Sequence, residues 1–244
     1  MAKIEMRPRY IGVRDLMLNG LTFSSGAIDA ISFLTLGKVF TAFMTGNIAF
    51  LGLRLAGAGG PGWVAIFVAM AAFSVGVYLG TRIVKPRGRG GSGVWPRRVT
   101  VTLGLSLLGH AGFLILWLAV GGQPSTGVAH VLLGLWGVAM GMRSAAVRSL
   151  HVEGAYTTAA TATFISVMGD FVNCSESAEE RWRLWGVLIS LSLGALTGGL
   201  LLVHAHIYGL VLPLVATVLV VATATLAFRD RDWRPILSEL AGAN

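Results

Sequence analysis

Cysteine is almost missing from this chain: Cys174 is the only one in 244 residues, which excludes an internal disulfide framework. Charge is scarce as well. Asp, Glu, Lys and Arg supply 12% of the residues, against about a quarter in a soluble domain. That shortage excludes an ordinary soluble globule, a disordered chain and a coiled coil, all of which rely on charge to stay solvated. Catalytic constellations are missing too. No nucleophile elbow, zinc motif or P-loop occurs, and no apolar segment carries paired carboxylates. The expectation is a protein that is not an enzyme and needs no metal and no cofactor.

What the chain has is apolar length. Residues of the hydrophobic class make up 55%, and there are 33 glycines in addition. This is the composition of a polytopic, all-α membrane protein whose principal partner is the lipid bilayer. The net charge of +8 would suggest nucleic acid in a soluble protein, but the basic residues here sit between apolar segments, so no nucleic-acid partner is expected. No small-residue cleavage site follows a short apolar core near the start, so no removed signal peptide is expected.

Eight stretches read as membrane-embedded helix: Leu16–Gly37, Val39–Gly57, Gly62–Val84, Val99–Val120, Thr126–Val147, Thr157–Asn173, Leu184–His204 and Ile207–Phe228. If all eight cross, the 19 Lys and Arg divide ten inside and nine outside, which is no bias. If the second and sixth dip in and return, the division becomes 17 inside and 2 outside, the pair being Lys38 and Arg54. Because cytoplasmic loops are positive, the expectation is six crossings plus two re-entrant or broken segments, both termini lying in the cytoplasm. Trp63, Trp117 and Tyr208 would then mark one interface, and Trp95, Trp182 and Trp185 the other.

Three letter matches suggest an internal repeat. Gly26 to Ala30 resembles Gly141 to Ala145, Phe40 to Asn47 resembles Tyr156 to Thr163, and Ser74-x-Gly76-x-x-x-Gly80 matches Ser192-x-Gly194-x-x-x-Gly198. Three crossings per half make the second half inverted, an architecture of transporters. The organisation expected is a cytoplasmic N-terminus (1–15), a first repeat (16–120) containing the basic cytoplasmic loop 85–98, an inverted second repeat (126–228), and a cytoplasmic tail (229–244).

Asp29 stands out, because an ionised carboxylate inside a membrane helix costs about 2.5–3.5 kcal/mol on insertion scales and so needs a partner or a polar cavity. Thr41, Thr45, Gly46, Asn47, Thr157, Thr161 and Thr163 supply hydroxyls, an amide and a small residue in the two segments expected to bend back. With Asp29, Arg143 and Ser144 they form the candidate substrate or ion pathway. The repeat sets Asp29 opposite Ser144, so an Asp29–Arg143 pair, direct or through water, is expected. The same polar groups could equally serve only to satisfy backbone and pack helices. Gly76 and Gly80, like Gly194 and Gly198, lie four apart on one helical face and read as close helix contacts. His110 and His130 read as core hydrogen-bonding residues.

The run Gly26-Ala27-Ile28-Asp29-Ala30 continued through Gly37, Phe40 and Met44-Thr45-Gly46-Asn47 resembles the hallmark of the YoaK-like family, bacterial multi-pass membrane proteins of unknown function. Met140-Gly141 to Arg148, followed by Thr157-Thr158, resembles that family's downstream motif, departing at Arg143-Ser144 and at Thr161-Ala162. The resemblance implies a plasma-membrane (inner-membrane) protein with no established activity. The function expected is secondary or passive transport of a small polar solute; the alternative is a non-transporting scaffold or partner subunit. The sequence does not set the oligomeric state, and a homo-oligomer is among the states it allows.

Overall fold

Helix ends in the computed structural model follow the chain's glycines and prolines. It describes residues 8–85, 94–150, 152, 160–173, 178–205 and 208–228. Among them are eight helices: α1 (Pro8–Thr35), α2 (Met44–Leu55), α3 (Trp63–Val84), α4 (Arg97–Ala119), α5 (Thr126–Arg148), α6 (Ala160–Asn173), α7 (Ala178–His204) and α8 (Val211–Ala227). α1 stops where Gly37 (φ 97°) and Lys38 (φ 62°) turn left-handed, a conformation that a continuing helix cannot hold. Pro96, extended at φ −64° and ψ 141°, precedes α4.

The expected six crossings with two re-entrant segments are not what the described helices provide. Four of them, α3, α4, α5 and Arg181–His204 of α7, are long and apolar enough to span a membrane. α1 has the length, but Asn19, Thr22, Ser24, Ser25, Asp29 and Ser32 dilute its apolar character. α8 is apolar but has only 17 residues, and α2 and α6 have 12 and 14. The architecture is therefore an all-α bundle of eight helices with four qualifying spans, and the three-plus-three count of crossings falls with the six. Thr157, Thr158, residues 1–7, the centre of the basic loop (86–93) and the tail (229–244) lie outside the described residues.

Two helix crossings organise the bundle, α1 against α7 and α3 against α5. Glycine makes each one close. A Cβ added to Gly26 would strike the Leu191 carbonyl, and one on Gly194 the Phe23 carbonyl. At the other crossing a Cβ on Gly76 would strike the Val138 carbonyl, and one on Gly141 the Phe73 carbonyl. Gly198 and Gly80 repeat the contact one turn on, where an added Cβ would lie 2.8 Å from Ala27 Cα and 2.9 Å from Met142 Cα. With lipid outside as apolar as any side chain, such close approach supplies the dispersion contacts that hold membrane helices together.

The core has two ends. Ile28, Ile31, Leu36 and Val39 pack with Ile66, Phe113, Trp117, Leu133, Trp136 and Leu202 at one, where the Phe113 and Trp136 rings stack 3.6 Å apart. Met17, Leu18 and Leu21 pack with Trp95, Val99, Val187 and Ala224 at the other. Trp95 and Trp117 are thus core residues and not interfacial anchors, whereas Trp63, Trp182 and Tyr208 do lie on the outer surface.

Gly194→Ala and Gly76→Ala should each lower stability by about 1–3 kcal/mol through overpacking against backbone. Gly104→Ala, where an added Cβ meets nothing within 4 Å, should raise it by about 0.5–1 kcal/mol through helix propensity. Unfolding midpoints of the purified variants in detergent check all three.

Candidate functional site

Between α1 and α2 the chain runs non-helically from Leu36 to Phe43; Leu36, Val39, Thr41 and Ala42 are buried, and the polar backbone there must be satisfied within the protein. Three side chains do this. Asp29 Oδ1 accepts from Thr41 N–H (2.8 Å), from the Thr41 hydroxyl (2.9 Å) and from Ala42 N–H (2.9 Å). Asn47 takes both backbone groups of Phe40, accepting from its N–H at 3.0 Å and donating to its carbonyl at 2.7 Å. Ser32 donates to the Val39 carbonyl at 2.9 Å. Asp29 thus bonds Thr41 directly, while Asn47 holds the neighbouring Phe40 backbone.

The Phe43 N–H also lies against the Asp29 carboxylate, and the half-buried side chain borders a cavity of about 540 Å³. Its walls are α1 (Ser25, Gly26, Asp29, Phe33), the segment before α2 (Phe40, Phe43), α6 (Ala160, Thr161) and α7 (Leu191, Ala195, Gly199). Ser25 is 1% exposed and its hydroxyl has no hydrogen-bond partner. Other helical hydroxyls here bond back to the preceding turn, as Thr22 does to Leu18 and Ser144 to Met140. Phe33 and Phe40 stack at 5.2 Å, and Phe43 meets Phe40 edge-on at 5.4 Å.

Arg143 lies elsewhere. It is fully buried on α5 and donates to Leu21 O (3.3 Å), Ser24 Oγ (3.1 Å) and Thr217 Oγ1 (2.6 Å), and to His110 Nε2 (3.1 Å). A carbonyl only accepts, so His110 Nδ1 donates to Ser106 O at 2.8 Å; a guanidinium only donates, so Nε2 accepts. The imidazole is therefore neutral and protonated on Nδ1. Asp29 and Arg143 make no direct salt bridge, though Asp29 attracts the guanidinium at longer range; Arg14 pairs with Asp15 at 2.8 Å.

The remaining candidates scatter. Thr161 lines the cavity, and Thr163 is buried in α6. Thr45 is exposed on α2, and Ser144 bonds within its own helix. Gly46 lies beneath the Phe40 and Phe43 rings. Gly76, Gly80, Gly194 and Gly198 are packing residues at the crossings, as read from the sequence. Sequence reasoning missed Ser25, Phe33, Phe40 and Phe43 as site residues. Ser25, Asp29 and Phe33 recur every four residues and so share one face of α1, a signal that was available.

The family described as "Protein of unknown function (DUF1275)" matches residues 17–224. The chain belongs to that family. A DUF1275-type relative, the "UPF0700 transmembrane protein YoaK" of Bacillus subtilis (strain 168), is 32% identical over 160 residues, which cover 64% of this chain and 67% of the relative. No solved structure matches. Membership makes this a multi-pass bacterial membrane protein of the YoaK kind, consistent with the plasma membrane, and puts Asp29, its clamp and its cavity inside the matched region.

The Arg143 network should behave as one unit. Arg143→Met and Thr217→Val both delete the 2.6 Å bond, so their stability losses should fall short of additive by about 0.5–3 kcal/mol. A double-mutant cycle of detergent unfolding measures that coupling.

Proposed function

We propose that this DUF1275 member is a secondary or passive transporter of a small polar solute, non-enzymatic and without a cofactor, with the cavity at Asp29 as its solute site. The observation that carries this reading is a carboxylate that clamps the break between two helices and also borders a partly open cavity. Discontinuous helices that present unwound backbone and a charge to a cavity are how transporters bind solutes away from bulk water. The absence of a nucleotide-binding motif from the sequence favours gradient-driven or passive movement.

Orientation follows from charge. The end of α3, the start of α4, the end of α5 and the start of α7 carry Arg82, Arg97, Arg98, Arg148, Arg181 and Arg183. Arg98 closes this end by donating to the Lys85 carbonyl. The opposite ends of these helices carry almost none, so we place the basic end in the cytoplasm. The beginning of α1 and the end of α8 pack at that same end through Met17, Leu18 and Ala224, which puts both termini in the cytoplasm in this reading.

Two measurements test it. Purified protein in liposomes should carry at least one solute from a panel of ions, amino acids and amines, with flux lost in Asp29→Ala; no flux for any of them returns the protein to a scaffold role. A single cysteine at Gly91 in a Cys174→Ser background should label only after permeabilisation, and labelling in intact cells would reverse the orientation.

A further inference from the structure

We propose that the Asp29 cavity binds a monovalent organic cation, a primary ammonium group carried on a flat apolar body, with the Asp29 carboxylate and Ser25 Oγ as its acceptors and Phe33, Phe40 and Phe43 as the wall against its body. The proposal names the solute class of the site assigned above and shares that site with the transport reading, but it concerns binding and is tested by binding.

The first argument is the division of labour on Asp29. All three of its clamp bonds converge on Oδ1. Three donors on one oxygen exceed the two lone pairs of a neutral amide, so the clamp holds the group as a carboxylate. A charge in apolar surroundings is costly unless something neutralises it, and Arg143, the nearest candidate by sequence reasoning, is hydrogen-bonded to neutral partners and attracts Asp29 only at longer range.

The second argument is Ser25. A buried hydroxyl left without a partner costs about 1–3 kcal/mol, and Ser25 Oγ is the only buried hydroxyl of that kind among the described residues. It lies one helical turn before Asp29 on the same face and lines the same cavity. Two acceptors one turn apart, one anionic and one neutral, suit a group with several N–H donors and one positive charge. The Thr161 hydroxyl borders the same space from α6 and can take a third. An ammonium has three such donors.

The third argument is what the walls exclude. Carboxylates and phosphates are repelled by Asp29. Sugars and zwitterions need more polar contacts than a lining of Phe, Leu, Ala and Gly supplies. A bare metal ion would find one carboxylate oxygen, and no group of three or more His, Cys, Asp or Glu occurs among the described residues. The volume of about 540 Å³ falls within the range of small-molecule sites, roughly 300–1,000 Å³. Aromatic rings also favour a cation placed beside their faces.

The test uses the full chain in detergent or nanodiscs with three probes of one shape: phenethylamine, 2-phenylethanol and phenylacetate. Calorimetric titration should show the amine binding, with the alcohol and the acid weaker by at least about 30-fold, the loss of a charge-assisted bond. Ser25→Ala should weaken amine binding about tenfold; Ser25 makes no bonds in the fold, so this variant reports on the site and not on folding. Asp29→Asn weakens the clamp as well as removing the charge, so its unfolding midpoint is measured beside its affinity, and the folded variant should lose amine binding about 100-fold. Equal binding of the three probes, or amine binding unchanged in Ser25→Ala or in a folded Asp29→Asn, overturns the proposal. Liposome flux separates the two readings: amine binding without flux of any solute keeps the ligand class and removes transport, while flux of other solutes without amine binding does the reverse.

Discussion

Backbone polar groups that leave a helix inside an apolar core have to find partners nearby, and the stretch from Leu36 to Phe43 imposes that demand on everything around it. α1 cannot continue past Gly37, and α2 does not begin until Met44. The Val39 carbonyl, both backbone groups of Phe40 and the Thr41 and Ala42 N–H groups between them are met by Asp29, Ser32 and Asn47. Two of these side chains come from α1 and one from α2, so the clamp fixes the angle between the helices as well as satisfying the backbone. That angle places Phe40 and Phe43 across from Phe33, and the aromatic wall follows from it.

The other walls depend on glycine. α7 can lie against α1 only because Gly26, Gly194 and Gly198 let backbone approach backbone. The residues matched by letter in the sequence, Gly26 with Gly141, Gly76 with Gly194 and Gly80 with Gly198, occupy corresponding places at the two crossings. The α3–α5 crossing holds the core around Trp136 and Phe113, while the α1–α7 crossing carries the cavity. Similar packing thus holds an apolar core in one place and borders a cavity in the other.

Much of this was readable from residue types. A carboxylate, threonines and an asparagine in apolar segments announce a polar site, and glycines four apart announce a crossing. The number of spans was not readable, because positive-inside counting scores loops and does not ask whether each helix is apolar enough: α1 carries too many hydroxyls and α8 stops at 17 residues. Arg143 misled for a different reason. Opposite charges invite pairing, yet four neutral acceptors stood within reach of its guanidinium from α1, α4 and α8. Ser25 escaped notice because helical serines ordinarily bond to their own preceding turn, and only coordinates reveal one that does not.

The neutral setting of Arg143 has an electrical consequence. His110, locked as an acceptor, cannot share the positive charge, and Ser24 and Thr217 offer only dipoles. The guanidinium is therefore a buried positive centre where α1, α4, α5 and α8 meet, solvated by dipoles and attracted by Asp29 only at longer range, in a medium that screens it poorly. Four helices are thereby tied to a single charge.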